Sequence, residues 1–205
     1  MHSVGSRRII ATRSVREYFH ETVTSAASNQ QLDAADETID YVVNLLVSFT
    51  RADRLFEATP HGKLLRPLAM LYVHALQATS TGERNRTLQR LGDVALFMAG
   101  LFADSLNRKL IDIDYYIAMG GNAYSFLAER HAEVEGASRD VFEELGEKFV
   151  HVVDVLMEVA EQGRPACQSD VLRLYDLWLK TGSKRAAGQL RNLGIYPLAS
   201  SVVRH

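Results

Sequence analysis

Apolar positions recur along this chain at intervals of three and four. Leu32, Ala35, Ile39, Val42, Leu46 and Phe49 form one series, and Leu88, Leu91, Ala95, Met98 and Phe102 a second. Phe142, Leu145, Phe149, Val152, Leu156 and Val159 form a third, and Tyr116, Met119, Ala123 and Phe126 a shorter fourth. Such spacing lines apolar side chains along one face of an α-helix. No stretch shows sustained apolar–polar alternation between hairpin turns, so the pattern reads as all-α.

Caps and breaks divide the pattern. Ser14-Val15-Arg16-Glu17 has the form of a capping box and opens a helix over 15–28. A second helix is predicted over 32–56, followed by a turn at Thr59-Pro60-His61-Gly62. Pro67 suits the first turn of a third helix that runs to 78. Ser80-Thr81-Gly82 interrupts, and Glu83 opens a long fourth helix over 83–109. Asp112 and Asp114 are caps for a fifth over 115–131. A sixth is predicted over 138–162, a seventh from a Ser169 cap to 180, and an eighth from Ser183 to a stop at Gly194. The expected organisation is a basic tail over 1–13, one helical-bundle domain over 14–195 and a tail over 196–205. The bundle would be antiparallel, of seven to eight helices, with the second, fourth, fifth and sixth as its core.

Composition narrows the class without naming an activity. The chain has 205 residues, 47% apolar and 23% charged, which excludes a disordered chain, a collagen-like fibre and a disulfide scaffold. Its single cysteine, Cys167, forms no internal disulfide and fits a reducing, cytoplasmic compartment. The longest apolar run, Val94 to Ala103, is well short of the ~20 residues of a membrane span. Arg7, Arg8, Arg13 and Arg16 flank no apolar stretch of signal-peptide length, so no secretory signal is expected. Charge comes in alternating blocks: +4 over 1–16, −6 over 17–62, +4 over 63–110, −9 over 111–163 and +5 over 164–205. The net charge of −2 lacks the basic excess of a non-specific nucleic-acid binder.

Candidate chemistry is sparse. Glu17 and His20 have a Glu-x-x-His spacing, but a di-iron bundle uses two copies and the second is missing. Glu147, His151, Asp154 and Glu158 share a helical face opposite the apolar one, so the row reads as water-facing. Phosphate-binding loops, dinucleotide fingerprints and nucleophile elbows are absent, and no catalytic residue or cofactor is assigned. One segment stands apart. Gly120 and Gly121 interrupt a helical pattern, and each costs about 1 kcal/mol relative to alanine. Either helices cross closely there, against the Ala95, Ala99, Ala103 row, or a ligand or partner sits there. Tyr115, Tyr116, Gly120, Gly121, Asn122 and Tyr124 are accordingly the candidate ligand- or partner-binding residues.

Three readings follow. The first is a non-catalytic helical protein acting through protein–protein contact, as a homodimer or with another protein and without a membrane. The second is a bundle that holds a small apolar ligand, haem or metal in an internal cavity lined by Tyr116, Gly120 and Asn122. The third is nucleic-acid binding by the C-terminal helical hairpin through Lys184, Arg185 and Arg191, where Gly188 weakens the would-be recognition helix.

Overall fold

The computed structural model describes residues 14–51, 57–59, 62–106, 112–130, 138–162, 171–192 and 195. The two predicted tails, Cys167 and the Ser169 cap lie outside these residues. The protein is all-α: helices packed together around one hydrophobic cluster, with one short strand pair. The helices are α1 (Val15–Asn29), α2 (Asp36–Phe49), α3 (Leu68–Gln77), α4 (Thr81–Leu101), α5 (Ala103–Leu106), α6 (Ile113–Glu129), α7 (Arg139–Glu147), α8 (Phe149–Gln162), α9 (Val171–Thr181) and α10 (Lys184–Asn192). Strands β1 (Glu57–Thr59) and β2 (Gly62–Leu64) pair antiparallel across the predicted Thr59–Gly62 turn. Among the described residues, no helix is long and apolar enough to cross a membrane.

Helix α1 starts as the capping box dictates. Ser14 Oγ accepts from the Glu17 amide at 3.1 Å, and the Ser14 amide donates to Glu17 Oε2 at 2.9 Å. This commits the Glu17 carboxylate to the cap, while His20 is exposed. Helix α2 is shorter at both ends than the predicted 32–56. It starts at Asp36 because Gln31 turns the chain with φ 53° after α1, and because its start is capped from far away in sequence. The Ala35 amide donates to Glu144 Oε2 on α7 at 3.0 Å, and Lys148 Nζ pairs with Glu144 at 2.8 Å. Burial pushes the Glu144 carboxyl up, but hydrogen bonds from Lys148, Thr38 and Ala35 outweigh it and hold it below the ordinary range. Helix α2 ends at Phe49, where its apolar series ends and the Ser48 and Thr50 hydroxyls take up the Leu45 and Val47 carbonyls.

The fourth and sixth predicted helices are each divided. The fourth stops at Leu101, Phe102 leaves helical geometry at φ −121°, and the short α5 follows. The sixth breaks at Lys148, φ −102°, into α7 and α8. The break follows Gly146, whose backbone lies against Ser125 on α6; a Cβ on Gly146 would stand 2.6 Å from Ser125 Oγ. Helix α4 packs against α3, α6 and α8, α6 also packs on α7, and α1 lies across α2 and α8.

The break at Lys148 also overturns the water-facing reading of the 147–158 row. Glu147 is exposed, but Asp154 is only 3% exposed. Asp154 Oδ1 accepts from Ser183 Oγ at 2.6 Å, and Ser183 Oγ in turn caps α10 by accepting from the Ala186 amide at 3.0 Å. Glu158 accepts from Asn29 at 2.7 Å and from Gln30. Asp154 and Glu158 form the seam that joins α8 to α10 and α1. Asn44 and His74 are exposed and bonded to Arg16 and Arg66. Ser183→Ala removes both the cap and the hydrogen bond to a buried carboxylate. It is expected to destabilise the protein by about 2 kcal/mol or more, lowering Tm by roughly 5 °C in thermal unfolding.

Candidate functional site

The helix that carries the six candidate residues separates them. Gly120 and Tyr124 lie one turn apart on the buried face of α6, whereas Asn122 is exposed on the opposite side. Tyr115 and Tyr116 are half-buried at the start of α6 and meet edge to face at 5.7 Å. Burial, and to a lesser degree Tyr115, pushes the Tyr116 hydroxyl above its ordinary value. The interior at Gly120 is dense. A Cβ there would meet the Phe149 ring, with Cε2 at 2.7 Å, and Ala95 Cβ at 2.8 Å. The predicted contact with the alanine row of α4 is thus present at Ala95, and no cavity lies inside the bundle at Gly120. Gly121 is looser, with its nearest neighbour, Phe149 Cβ, at 3.7 Å.

The same tight packing builds a polar cluster that the sequence pattern did not single out. Gly92 on α4 gives room for the Tyr124 ring, whose atoms would stand 2.6 to 2.9 Å from a Cβ. The Tyr124 hydroxyl then reaches Asp93 Oδ1 at 2.7 Å, and the Tyr41 hydroxyl from α2 reaches the same oxygen at 2.5 Å. Gln89 donates to Tyr41 at 3.0 Å. Burial raises the Asp93 carboxyl to about 6, against the opposing pull of the two phenols and Arg90. Burial and then the Asp93 charge push both tyrosines well above the usual phenol range. A signal for the cluster exists in the four-residue spacing of Asn85, Gln89 and Asp93, a polar row alongside the apolar series of α4. This carboxylate with two phenol donors ties α2, α4 and α6 together.

A pocket exists, on the other side of α6 from Gly120. It is a cleft of about 370 Å³ between α3, α4 and α6. Leu76, Leu88, Met119 and Phe126 are among its apolar walls, and Arg84 and Asn122 supply polar groups. Of the residues predicted to line a cavity, Asn122 is there, while Tyr116 and Gly120 are not. The Arg84 guanidinium carbon lies 5.7 Å from the centre of the Phe126 ring.

A second, polar cleft of about 490 Å³ lies between the C-terminal ends of α1 and α8 and helix α10. Lys184, Arg185 and Arg191 all line it. Arg185 is only 8% exposed and its guanidinium is paired with Glu161. Lys184 and Arg191 stay exposed. The three basic residues therefore do not present one cationic face. Among the described residues, no group of three or more His, Cys, Asp or Glu side chains is placed to hold a metal ion. No family model matches the chain, and neither a curated protein nor a solved structure matches it.

Gly120→Ala is expected to cost about 1–3 kcal/mol through overpacking against Phe149, whereas Gly121→Ala is neutral or gains up to about 1 kcal/mol of helix propensity. Thermal unfolding of the two variants checks this. Asp93 is protonated in the fold over a range where it is ionised in the unfolded chain. Its stabilising contribution is complete below its ordinary value of 3.8 and is lost as pH rises through about 6. Asp93→Asn, uncharged throughout, is expected to remove this decline when stability is followed between about pH 4 and 7.

Proposed function

We propose that this is a non-catalytic helical protein that acts through protein–protein contact, as a cytoplasmic homodimer with an antiparallel four-helix core. One observation carries the reading: α3 exposes large apolar groups outside its buried face. Leu68, Leu71 and Ala75 bury its inner face. Met70, Tyr72, Val73 and Leu76 are exposed on the rest, Leu76 at 67%. A patch of large exposed apolar groups marks an interaction surface. Aromatic and methionine side chains are also those enriched in the cores of interfaces. Tyr175 and Leu179 on α9 add a smaller exposed apolar patch, next to a partly buried Trp178.

The α3–α4–α6 cleft supports a second reading, a small-molecule binder. Its volume of about 370 Å³ is at the small end of ligand pockets, and apolar walls with a few polar groups are their usual make-up.

Native mass spectrometry separates the two. Contact through α3 predicts a species at twice 22.9 kDa. The double variant Val73→Glu, Leu76→Glu is expected to give the single-chain mass with unchanged helical circular dichroism. A wild-type protein that stays at the single-chain mass at micromolar concentration overturns the homodimer. A mass carrying a small-molecule adduct favours the second reading.

A further inference from the structure

Arg84 borders an apolar cleft and has no carboxylate partner among the described residues. It lies in the first turns of α4 and lines the pocket with Leu88, Met119 and Phe126. Its Nε is buried and has no hydrogen-bond partner. The carboxylate next to it in sequence is engaged elsewhere: Glu83 Oε2 accepts from the Thr79 amide and hydroxyl, both at 3.2 Å. The Phe126 ring attracts the guanidinium through its quadrupole but is no substitute for a hydrogen-bond acceptor. Arg84 also borders the cleft, where an anion can pair with its guanidinium.

We propose that the cleft binds a small amphiphilic monocarboxylate, its carboxylate on Arg84 and its apolar chain along Leu88, Met119 and Phe126. This rests on the small-molecule reading of the cleft and adds the charge of the ligand. The planar guanidinium matches a carboxylate through paired N–H donors. Arg84 is the cationic side chain among the described residues lining the cleft, and it matches one negative charge. The apolar walls match a hydrocarbon body, and Asn122, exposed at the cleft, adds neutral hydrogen-bonding groups.

Titration calorimetry with octanoate and octan-1-ol tests this. The wild-type protein is expected to bind octanoate about tenfold or more tighter than octan-1-ol, since a charge-assisted hydrogen bond is worth at least that factor. Arg84→Gln is expected to abolish the preference and leave octan-1-ol binding intact, which also shows that the variant is folded. Arg84→Lys keeps the charge without the fork and is expected to fall between. Equal binding of the two probes by the wild type, or an octanoate preference that survives in Arg84→Gln, overturns the carboxylate inference and leaves the cleft as a neutral-ligand site. No binding of either probe at millimolar concentration overturns the cleft reading and the inference with it.

Discussion

The close approach of α4 to α6 and α8 is the constraint on which the rest of this structure depends. Three glycines permit it, each facing a large side chain of a neighbouring helix. Gly92 receives the Tyr124 ring, Gly100 receives Leu156, and Gly120 receives Phe149. A protein interior is packed like an organic crystal, so a methyl group added at any of these points has nowhere to go. The helix-propensity cost of the glycines is the condition for burying Tyr124, Phe149 and Leu156 almost completely. Chain direction follows from the same contact: Gly146 and the break at Lys148 turn the chain so that Phe149 enters between α4 and α6.

This packing determines how polar groups are buried. Tyr124 cannot enter the core without bringing its hydroxyl, and the hydroxyl requires an acceptor. Asp93 supplies it and shares the same oxygen with Tyr41, so α2 is joined to α4 and α6 by hydrogen bonds as well as by apolar contact. Tyr41, Tyr124, Phe142 and Phe149 make a connected aromatic cluster around this point. Asp154 plays a similar part on α8, where it holds the start of α10 through Ser183. Both carboxyls are pushed above the ordinary range by burial. Each sits where helices distant in sequence meet.

The outer side of α6 is different. There Asn122, Met119 and Phe126 face a cleft instead of a packed neighbour, and α3 closes it with Ala75 and Leu76. The same helix therefore has a densely filled face and an open one. Apolar groups of α3 continue from the cleft to the surface, so a partner chain and a small amphiphile would use adjoining parts of one apolar region.

The sequence by itself determined the helical class, the start of α1 at its capping box, and that the glycines at 120 and 121 carry a cost to be offset. These are local or periodic properties: a 3-4 spacing requires a helix, Ser14 and Glu17 are three residues apart, and glycine within an amphipathic helix has a packing cost that something must offset. Tertiary structure alone decided where α2 begins, because its cap is Glu144, more than a hundred residues away. It alone decided that Asp93 is half-buried and Asp154 buried, because a carboxylate on a helix flank reads as solvated until the phenols and hydroxyl that meet it are known. Tertiary structure also placed the pocket on the Asn122 side of α6, since small residues favour a close crossing and a cavity alike, and only the position of Phe149 distinguishes them.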